Sequence, residues 1–241
     1  LPAGFYYKTF MWPASLWMTY EHFIRKAAGL GIVASDPIDP ERYEKTHRHC
    51  EIFVAGGGPT GLMAAYQAAQ SGLRVILADE KPQFGGWMLS DAATEIDGMA
   101  AADWVSNLQT KLATMDNVTL LPRTTVFGYG DHNYITLAER VTEHLSHRPA
   151  HLPRMRLWKV RAAYAILATG CIERPLVFGG NDLPGIMLSS GVQTYITKYG
   201  VLPGRRAVIF TNNDTAYKTA LSFQKAGGFV RTIVDTRAVL K

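Results

Sequence analysis

Cysteine is nearly absent from this chain: Cys50 and Cys171 are the only two in 241 residues. Two thiols cannot build a disulfide framework or a four-thiolate metal site, and no C-x-x-C pair supports dithiol chemistry. Charge is also sparse, with 19% charged residues against 47% hydrophobic ones. That balance excludes a disordered chain and predicts a globular protein with a real core. The length allows one large domain or parts of two. No apolar run approaches the roughly 18–20 residues that span a bilayer, so no membrane span is expected. A basic segment leading into an apolar one is missing too, so no secretory signal is visible. The chain opens at Leu1 rather than Met, which suits a piece of a longer protein. With so little cysteine, a reducing cytoplasm is the expected compartment.

The chain does carry a glycine run in a telling place. Ile52-Phe53-Val54-Ala55 reads as a strand, Gly56-Gly57-Gly58-Pro59-Thr60-Gly61 as a turn, and an Ala-rich helix leads to Val75-Ile76-Leu77-Ala78-Asp79-Glu80. This is a βαβ unit with G-x-G-x-x-G at its first turn and carboxylates after its second strand. Gly56 allows a tight turn, Gly58 lets backbone approach a pyrophosphate, and Gly61 lets helix and strand pack closely. The helix N-terminus adds N–H groups and a positive dipole end. Asp79 lies 18 residues past Gly61, where an acid can hydrogen-bond a ribose diol. A glycine motif alone is weak; strand, helix, second strand and acid in register make a dinucleotide site the expectation.

Around this unit the organisation is readable. Residues 1–48 form an aromatic-rich N-terminal segment and linker, with seven aromatics in the first 20 residues. So dense an aromatic stretch either marks a contact surface or folds back on its own domain. Residues 20–29 read as a short helix stopped by Gly29 and Gly31, and residues 34–48 as a Pro- and charge-rich connector. Residues 49–178 form the dinucleotide-binding domain. Within it, Gly85-Gly86 can bring a loop close to a bound cofactor, and residues 101–115 read as an amphipathic helix with Trp104, Leu108 and Leu112 on one stripe. Val118-Thr119-Leu120-Leu121 and Thr124-Thr125-Val126-Phe127 are a candidate strand pair ending at Gly128. Residues 134–137 and 156–160 look like meander strands, and residues 164–170 a buried strand running into a glycine turn.

Residues 179–241 form a partial second α/β domain. A strand at 206–210, a helix at 215–226 and a strand at 230–234 ending at Asp235 repeat the βαβ pattern. Its turn is Thr211-Asn212-Asn213-Asp214, with no glycine. Side chains there block backbone approach to a pyrophosphate and Asp214 repels one, so this nucleotide site is degenerate. The fold class expected for the whole is α/β: a Rossmann-like FAD/NAD(P)-binding fold, a parallel sheet with a β-meander, followed by a partial second βαβ unit.

Other clusters carry less. Formal net charge is +5, and Arg148, Arg154, Arg156, Lys159 and Arg161 gather with His144, His147 and His151. Only Trp158 interleaves with them, so a nucleic-acid groove is not expected; a solvated meander, or a face toward an acidic partner, is. His47-Arg48-His49-Cys50 enters a strand whose side chains alternate, so those groups do not converge on a metal. His22, His132 and His147 sit in unlike contexts, and Cys171 has no partner thiol. No catalytic and no metal-binding residue is assigned.

Several motifs together resemble the two-dinucleotide-domain flavoprotein and pyridine-nucleotide oxidoreductase superfamily: the glycine turn, Asp79-Glu80, Gly85-Gly86 and Ala168-Thr169-Gly170. More narrowly, the chain resembles the α-subunit family of bacterial heterotetrameric sarcosine oxidases. The residues that carry this are Phe5-Tyr6-Tyr7-Lys8-Thr9-Phe10, Ala28-Gly29-Leu30-Gly31, Arg42-Tyr43-Glu44-Lys45, His49-Cys50 and Leu152-Pro153-Arg154-Met155-Arg156-Leu157-Trp158. Ile172-Glu173-Arg174-Pro175-Leu176-Val177-Phe178, Asn181-Asp182 with Pro184-Gly185, and the Thr211–Asp214 turn extend it along the whole chain.

The resemblance implies a division of labour. Sarcosine is demethylated to glycine, with oxygen as acceptor and folate as one-carbon acceptor, at flavins (FAD and FMN) associated mainly with a β subunit. The α subunit's dinucleotide-binding domain holds NAD, and tetrahydrofolate binds a further domain absent here. The implied partners are β, γ and δ subunits, and this piece alone is expected to be inactive. Carried over position by position, Gly56, Gly58, Thr60 and Gly61 line the pyrophosphate; Asp79 and Glu80 hold or flank the adenosine ribose, with Lys81 beside them. The acidic pair disfavours a 2′-phosphate and hence NADP, and Lys81 and Arg74 weaken that only slightly. Trp87 replaces the small polar residue expected after the glycine pair, Val126 is placed where backbone pairs with adenine, and Thr169 and Gly170 close over the cofactor. Two other readings stand beside this one. FAD in the first site would make the chain a subunit of a related amine- or opine-oxidising complex, and a vestigial site would leave it a structural scaffold.

Overall fold

The computed structural model describes residues 12–29, 39–91 and 94–238. The aromatic residues 5–10 and the connector residues 34–38 lie outside these. Contacts divide the chain into residues 1–41 and 42–241. In the first unit, a 3-10 turn at Ala14–Leu16 leads into helix α1 (Trp17–Ala27). This helix starts three residues before the expected Tyr20. Arg25 and Lys26 in its last turn suit the negative end of the helix dipole.

The second unit opens with strand β1 (Tyr43–Ala55), so residues 43–48 belong to the sheet and not to the connector expected there. They are held by pairing with a later strand, which local composition does not reveal. Helix α2 (Pro59–Gln70) follows the glycine turn and buries Gly61, Leu62, Ala65 and Ala69. Gly61, Ala65 and Ala69 are small residues at helical spacing that let the helix sit close on the sheet. Strand β2 (Val75–Ala78) is buried at every position, as a parallel strand covered on both faces must be. A short hairpin, β3 (Glu95–Ile96) and β4 (Met99–Ala100), precedes helix α3 (Ala101–Ala113). That helix buries Ala101, Trp104, Val105, Leu108 and Leu112, the stripe its sequence predicts.

Strands β5 (Val118–Leu121), β6 (Thr124–Gly130), β7 (Tyr134–Arg140) and β8 (Met155–Leu167) complete a six-stranded sheet of order β5-β2-β1-β8-β7-β6. β5 pairs parallel with β2, and β6 pairs antiparallel with β7. The two are therefore not partners, contrary to the strand pair expected, and stand at opposite ends of the order. Gly128 does not end β6 either. The strand continues to Gly130 through an irregularity between Val126 and Gly128, where a Cβ on Gly128 would strike Thr136. The two strands expected at 156–160 and 164–170 are one, because Arg161-Ala162-Ala163 contains no breaker. β8 runs in register with β1 along its whole length, from Met155 against Tyr43 to Leu167 against Ala55.

Alternation along these strands feeds two cores. Val54, Val75 and Leu77 point into a cluster with Leu62, Ala65 and the α3 stripe. Phe53, Ala55, Ile76 and Ala78 point into a second cluster with Ile135, Leu137, Trp158 and Val160. The first βαβ unit is thus clamped from both faces, which fixes the C-terminal ends of β1 and β2. Further on come helix α4 (Ser189–Thr197), strand β9 (Arg206–Thr211), helix α5 (Thr215–Lys225) and strand β10 (Phe229–Asp235). β9 and β10 form a separate parallel pair. Helix α4 is absent from the sequence reading; its Ser-Ser-Gly-Val-Gln-Thr stretch is a poor helix former. Glu173 supports it from outside, accepting the N–H groups of Ser189 and Ser190 at 3.1 and 2.7 Å.

Three basic residues of this region, Arg154, Arg156 and Arg161, are engaged by carboxylates or carbonyls. Arg156 pairs with Glu44 and Glu139. Arg154 pairs with Glu143, and Arg161 donates to the carbonyls of Asp131 and His132. Arg48 and Arg156 both lie near the Trp158 ring, whose indole N–H donates to Glu139 at 2.7 Å. Among the described residues, no helix is long and apolar enough to cross a membrane.

Candidate dinucleotide site

Each glycine of the turn has its own surroundings. Gly56 has φ +99°, and a Cβ there would strike the Ala168 carbonyl; a Cβ on Gly61 would strike the Gly56 carbonyl. Both positions are closed by backbone, so glycine there serves the fold. Gly58 differs. Its φ is −70°, and among the described residues nothing lies within 4 Å of where its Cβ would stand. An ordinary backbone angle beside open space is a cradle that a side chain would fill, and it suits a bound pyrophosphate. Gly58 is also the N-cap of α2, with no side-chain cap and Pro59 in the first turn. Thr60 is exposed in that same first turn. The donor set and the open cradle fit the diphosphate of a dinucleotide.

The acid sits at the end of β2. Asp79 accepts the Gly57 N–H at 2.6 Å through one oxygen and the Lys81 N–H at 2.8 Å through the other. Its own backbone is fixed by Leu121 on one side and Thr124 on the other. The carboxylate therefore stands directly beside the glycine turn, held by backbone donors and, among the described residues, not by a cation. Glu80 and Lys81 are exposed next to it, and Arg140 donates to the Glu80 carbonyl at 2.6 Å. Arg74 is a different matter. It precedes β2 rather than following it, about 16 Å of extended chain from Asp79. There it is fixed to Glu51 at 2.5 Å, holding that carboxyl down at about 2. It has no bearing on the choice between NAD and NADP.

A loop crosses the turn from the other side. Gly85 donates its N–H to the Gly57 carbonyl at 2.7 Å, and a Cβ on Gly86 would approach the Gly58 Cα to 3.2 Å. A short 3-10 helix, Gly86–Ser90, follows and leaves Trp87 57% exposed beside this contact. Gly57 is thus the node of the site, although the G-x-G pattern treats it as a spacer. Its N–H goes to Asp79, its carbonyl to Gly85, and a Cβ there would run into the buried Phe84 ring. Three consecutive glycines were the available signal.

The remaining positions divide. The Thr169 turn is brought to the site: Ala168 donates to the Ala55 carbonyl at 2.8 Å, and Thr169 Cα is 3.1 Å from where a Gly56 Cβ would stand. Gly170 follows, exposed. Val126 pairs opposite Leu137 and packs against the second core cluster. Its link to the site runs through Thr124, whose N–H donates to the Asp79 carbonyl at 2.7 Å. Cys50 lies apart, buried, with burial pushing its thiol up to about 11; Cys171 is exposed.

The second βαβ unit is built differently at the same place. Asp235, at the end of β10, accepts from Arg237 and from the Tyr217 hydroxyl, while Arg237 also reaches Asp214 at 2.7 Å. The Arg237 guanidinium holds the Asp235 carboxyl well below the usual carboxylate range. Asn213 and Thr211 satisfy their own turn through side-chain bonds to its backbone.

Residues 51–142 match the family described as FAD dependent oxidoreductase. The sarcosine oxidase subunit alpha of Rhizobium meliloti (strain 1021) is 53% identical over 98% of this chain and 24% of its own length. That of Corynebacterium sp. (strain U-96) is 42% identical over 87% of this chain and 22% of its own. The chain thus spans about a quarter of the length of these relatives. Among solved structures, L-proline dehydrogenase from P. horikoshii superposes with a TM-score of 0.65 at 23% identity, over 83% of this chain and 38% of that one. This last likeness establishes the α/β, mostly parallel-sheet fold.

Proposed function

This chain is a homologue of the α subunits of bacterial sarcosine oxidases, and from that premise we propose that it is the NAD-holding part of such an α subunit. Demethylation of sarcosine to glycine, with oxygen as electron acceptor and a folate as one-carbon acceptor, belongs to the assembled complex. The flavins there, FAD and FMN, supply the redox chemistry when bound. In this chain the turn Gly56, Gly58, Thr60 and Gly61 lines the pyrophosphate, Gly56 and Gly61 by shaping the backbone and Gly58 by leaving it room, and Asp79, flanked by Glu80 and Lys81, takes the adenosine ribose. Trp87 and Thr169–Gly170 bound the far end, and the backbone at Val126 meets the adenine. The partners are the other subunits of a heteromeric oxidase in the cytoplasm.

The observation that carries this reading is the pairing of the open Gly58 cradle with an Asp79 carboxylate held beside it by backbone N–H groups. The like charge of Asp79 and Glu80 favours an unphosphorylated ribose. A second reading, FAD in this site, draws support from the FAD dependent oxidoreductase match at residues 51–142. Denaturing the purified complex and weighing the released nucleotides by mass spectrometry separates the two. NAD at one per α chain supports the first reading. An α chain that, isolated from its partners, releases FAD and no NAD supports the second. A folded α chain that releases neither sinks both and leaves a scaffold.

A further inference from the structure

The short helix that carries Trp87 does not end free. Ser90, its last residue, is gripped by the side chains of α4. The Gln193 amide donates to the Ser90 carbonyl at 3.0 Å, and Thr197 Oγ1 lies 2.8 Å from the same oxygen. Thr197 Oγ1 is also 2.7 Å from the Gln193 carbonyl, so its single hydrogen is shared between two acceptors. Thr194 Oγ1 stands 3.2 Å from the Ser90 hydroxyl. At the other end of the same loop, Gly85 is bonded to Gly57 and Gly86 lies on Gly58. The loop is therefore pinned twice, to the glycine turn at its start and to α4 at its end.

The Ser90 end of this grip is made by hydrogen bonds, which matters. A hydrophobic seam tolerates sliding, whereas a carbonyl held by two donors has one good position. The amide of Gln193 divides its donors between Ser90 and the Ser222 hydroxyl of α5, at 3.0 Å each. Its Oε1 is buried with no partner among the described residues. The amide nitrogen is thus committed to Ser90 and Ser222, joining the loop to both α4 and α5. Through Gln193, α4 bridges the loop to α5 of the second βαβ unit, whose Lys218 also pairs with Asp91 just past the loop at 3.4 Å.

We propose that Gln193 and Thr197 are positioning residues for the dinucleotide: through Ser90 they hold the Gly85–Ser90 loop, with Trp87, against the glycine turn. The inference rests on the dinucleotide reading of that turn. It gives the degenerate unit a task, as the anchor of the loop that bounds the neighbouring site.

The test uses the full-length α chain in its complex, carrying Gln193→Leu or Thr197→Val, with Thr197→Ser as the conservative control. The probe is ADP, the moiety common to NAD and FAD, added after resident nucleotide is removed. Two readouts are taken: ADP affinity, and hydrogen exchange of the backbone amides at residues 85–90. Loss of one donor to this half-buried carbonyl is expected to weaken ADP about fivefold. Exchange at 85–90 should rise in both variants and return toward wild type in Thr197→Ser, while exchange in β1 and β2 stays unchanged. Variants that stay folded with wild-type ADP affinity and wild-type exchange at 85–90 overturn the proposal. Faster exchange spread through α4 and α5, with ADP affinity unchanged, also overturns it, because it marks a merely structural contact. A wild-type chain that binds no ADP sinks the dinucleotide reading itself, a failure distinct from the other two.

Discussion

The two βαβ units of this chain share a backbone plan and finish it with opposite chemistry. In the first, β1 ends in glycines and the acid after β2 is held by two backbone N–H groups. In the second, β9 ends in Thr211–Asp214 and the acid after β10 is tied to Arg237 and Tyr217. Asp79 and Asp235 each accept the N–H of the residue two positions on, so the local turn is the same. What differs is the rest of the carboxylate's company. A ribose diol can exchange with a neutral N–H at modest cost, but it cannot displace a guanidinium shared by two aspartates. Topology alone therefore does not make a nucleotide site; the turn residues and the acid's partners do.

Breaking the first unit at its closed glycines should give the largest effect. Gly61→Val sets a side chain into the Gly56 carbonyl, and the clash of backbone with side chain should cost about 3 kcal/mol of stability. Chemical denaturation of the variant checks this. Gly58→Ala sharpens the contrast, since its backbone angle and open surroundings accept a methyl group. Stability should stay within about 0.5 kcal/mol, while dinucleotide affinity falls on the order of 100-fold, roughly 2.7 kcal/mol. Equal losses of stability in Gly58→Ala and Gly61→Val would erase the distinction between a glycine for packing and a glycine for ligand. Asp79→Asn should weaken binding about tenfold, by loss of a charged acceptor, as titration calorimetry would show.

The second unit predicts smaller effects. Because Asp235 has its proton affinity depressed in the folded chain, its contribution to stability is present above the ordinary carboxylate range. That contribution is lost as pH falls below it. Local hydrogen exchange in β9 and β10 should therefore accelerate as pH is lowered from 5 toward 2, beyond the intrinsic rate change. Arg237→Leu should flatten that dependence without creating nucleotide binding. The smallest effect concerns the thiols. Cys171 should react with iodoacetamide at pH 8 in the folded protein, and Cys50 should not, being buried with its thiol pushed up to about 11.

Much of this was legible because it is local. The strand, glycine turn, Ala-rich helix and Asp79 lie within thirty residues, and each follows from residue type and spacing. The α3 stripe and the β9–α5–β10 unit were readable for the same reason. What sequence could not yield depends on distant partners. Residues 43–48 look like linker until β8 pairs with them, and β5 and β6 look like a hairpin until β2 and β7 claim them. Helix α4 depends on a carboxylate at Glu173, sixteen residues upstream. Within the site, Gly58 was singled out by motif, whereas Gly57 shows its role only when Asp79, Phe84 and Gly85 converge on it.

The most direct test counts dinucleotide per α chain in the native complex, for wild type and for Gly58→Ala. One dinucleotide in the wild type and none in an equally stable variant is the predicted result. An empty, folded wild type, or a Gly58→Ala chain that keeps its full complement, would contradict the assignment of the first unit as the binding site.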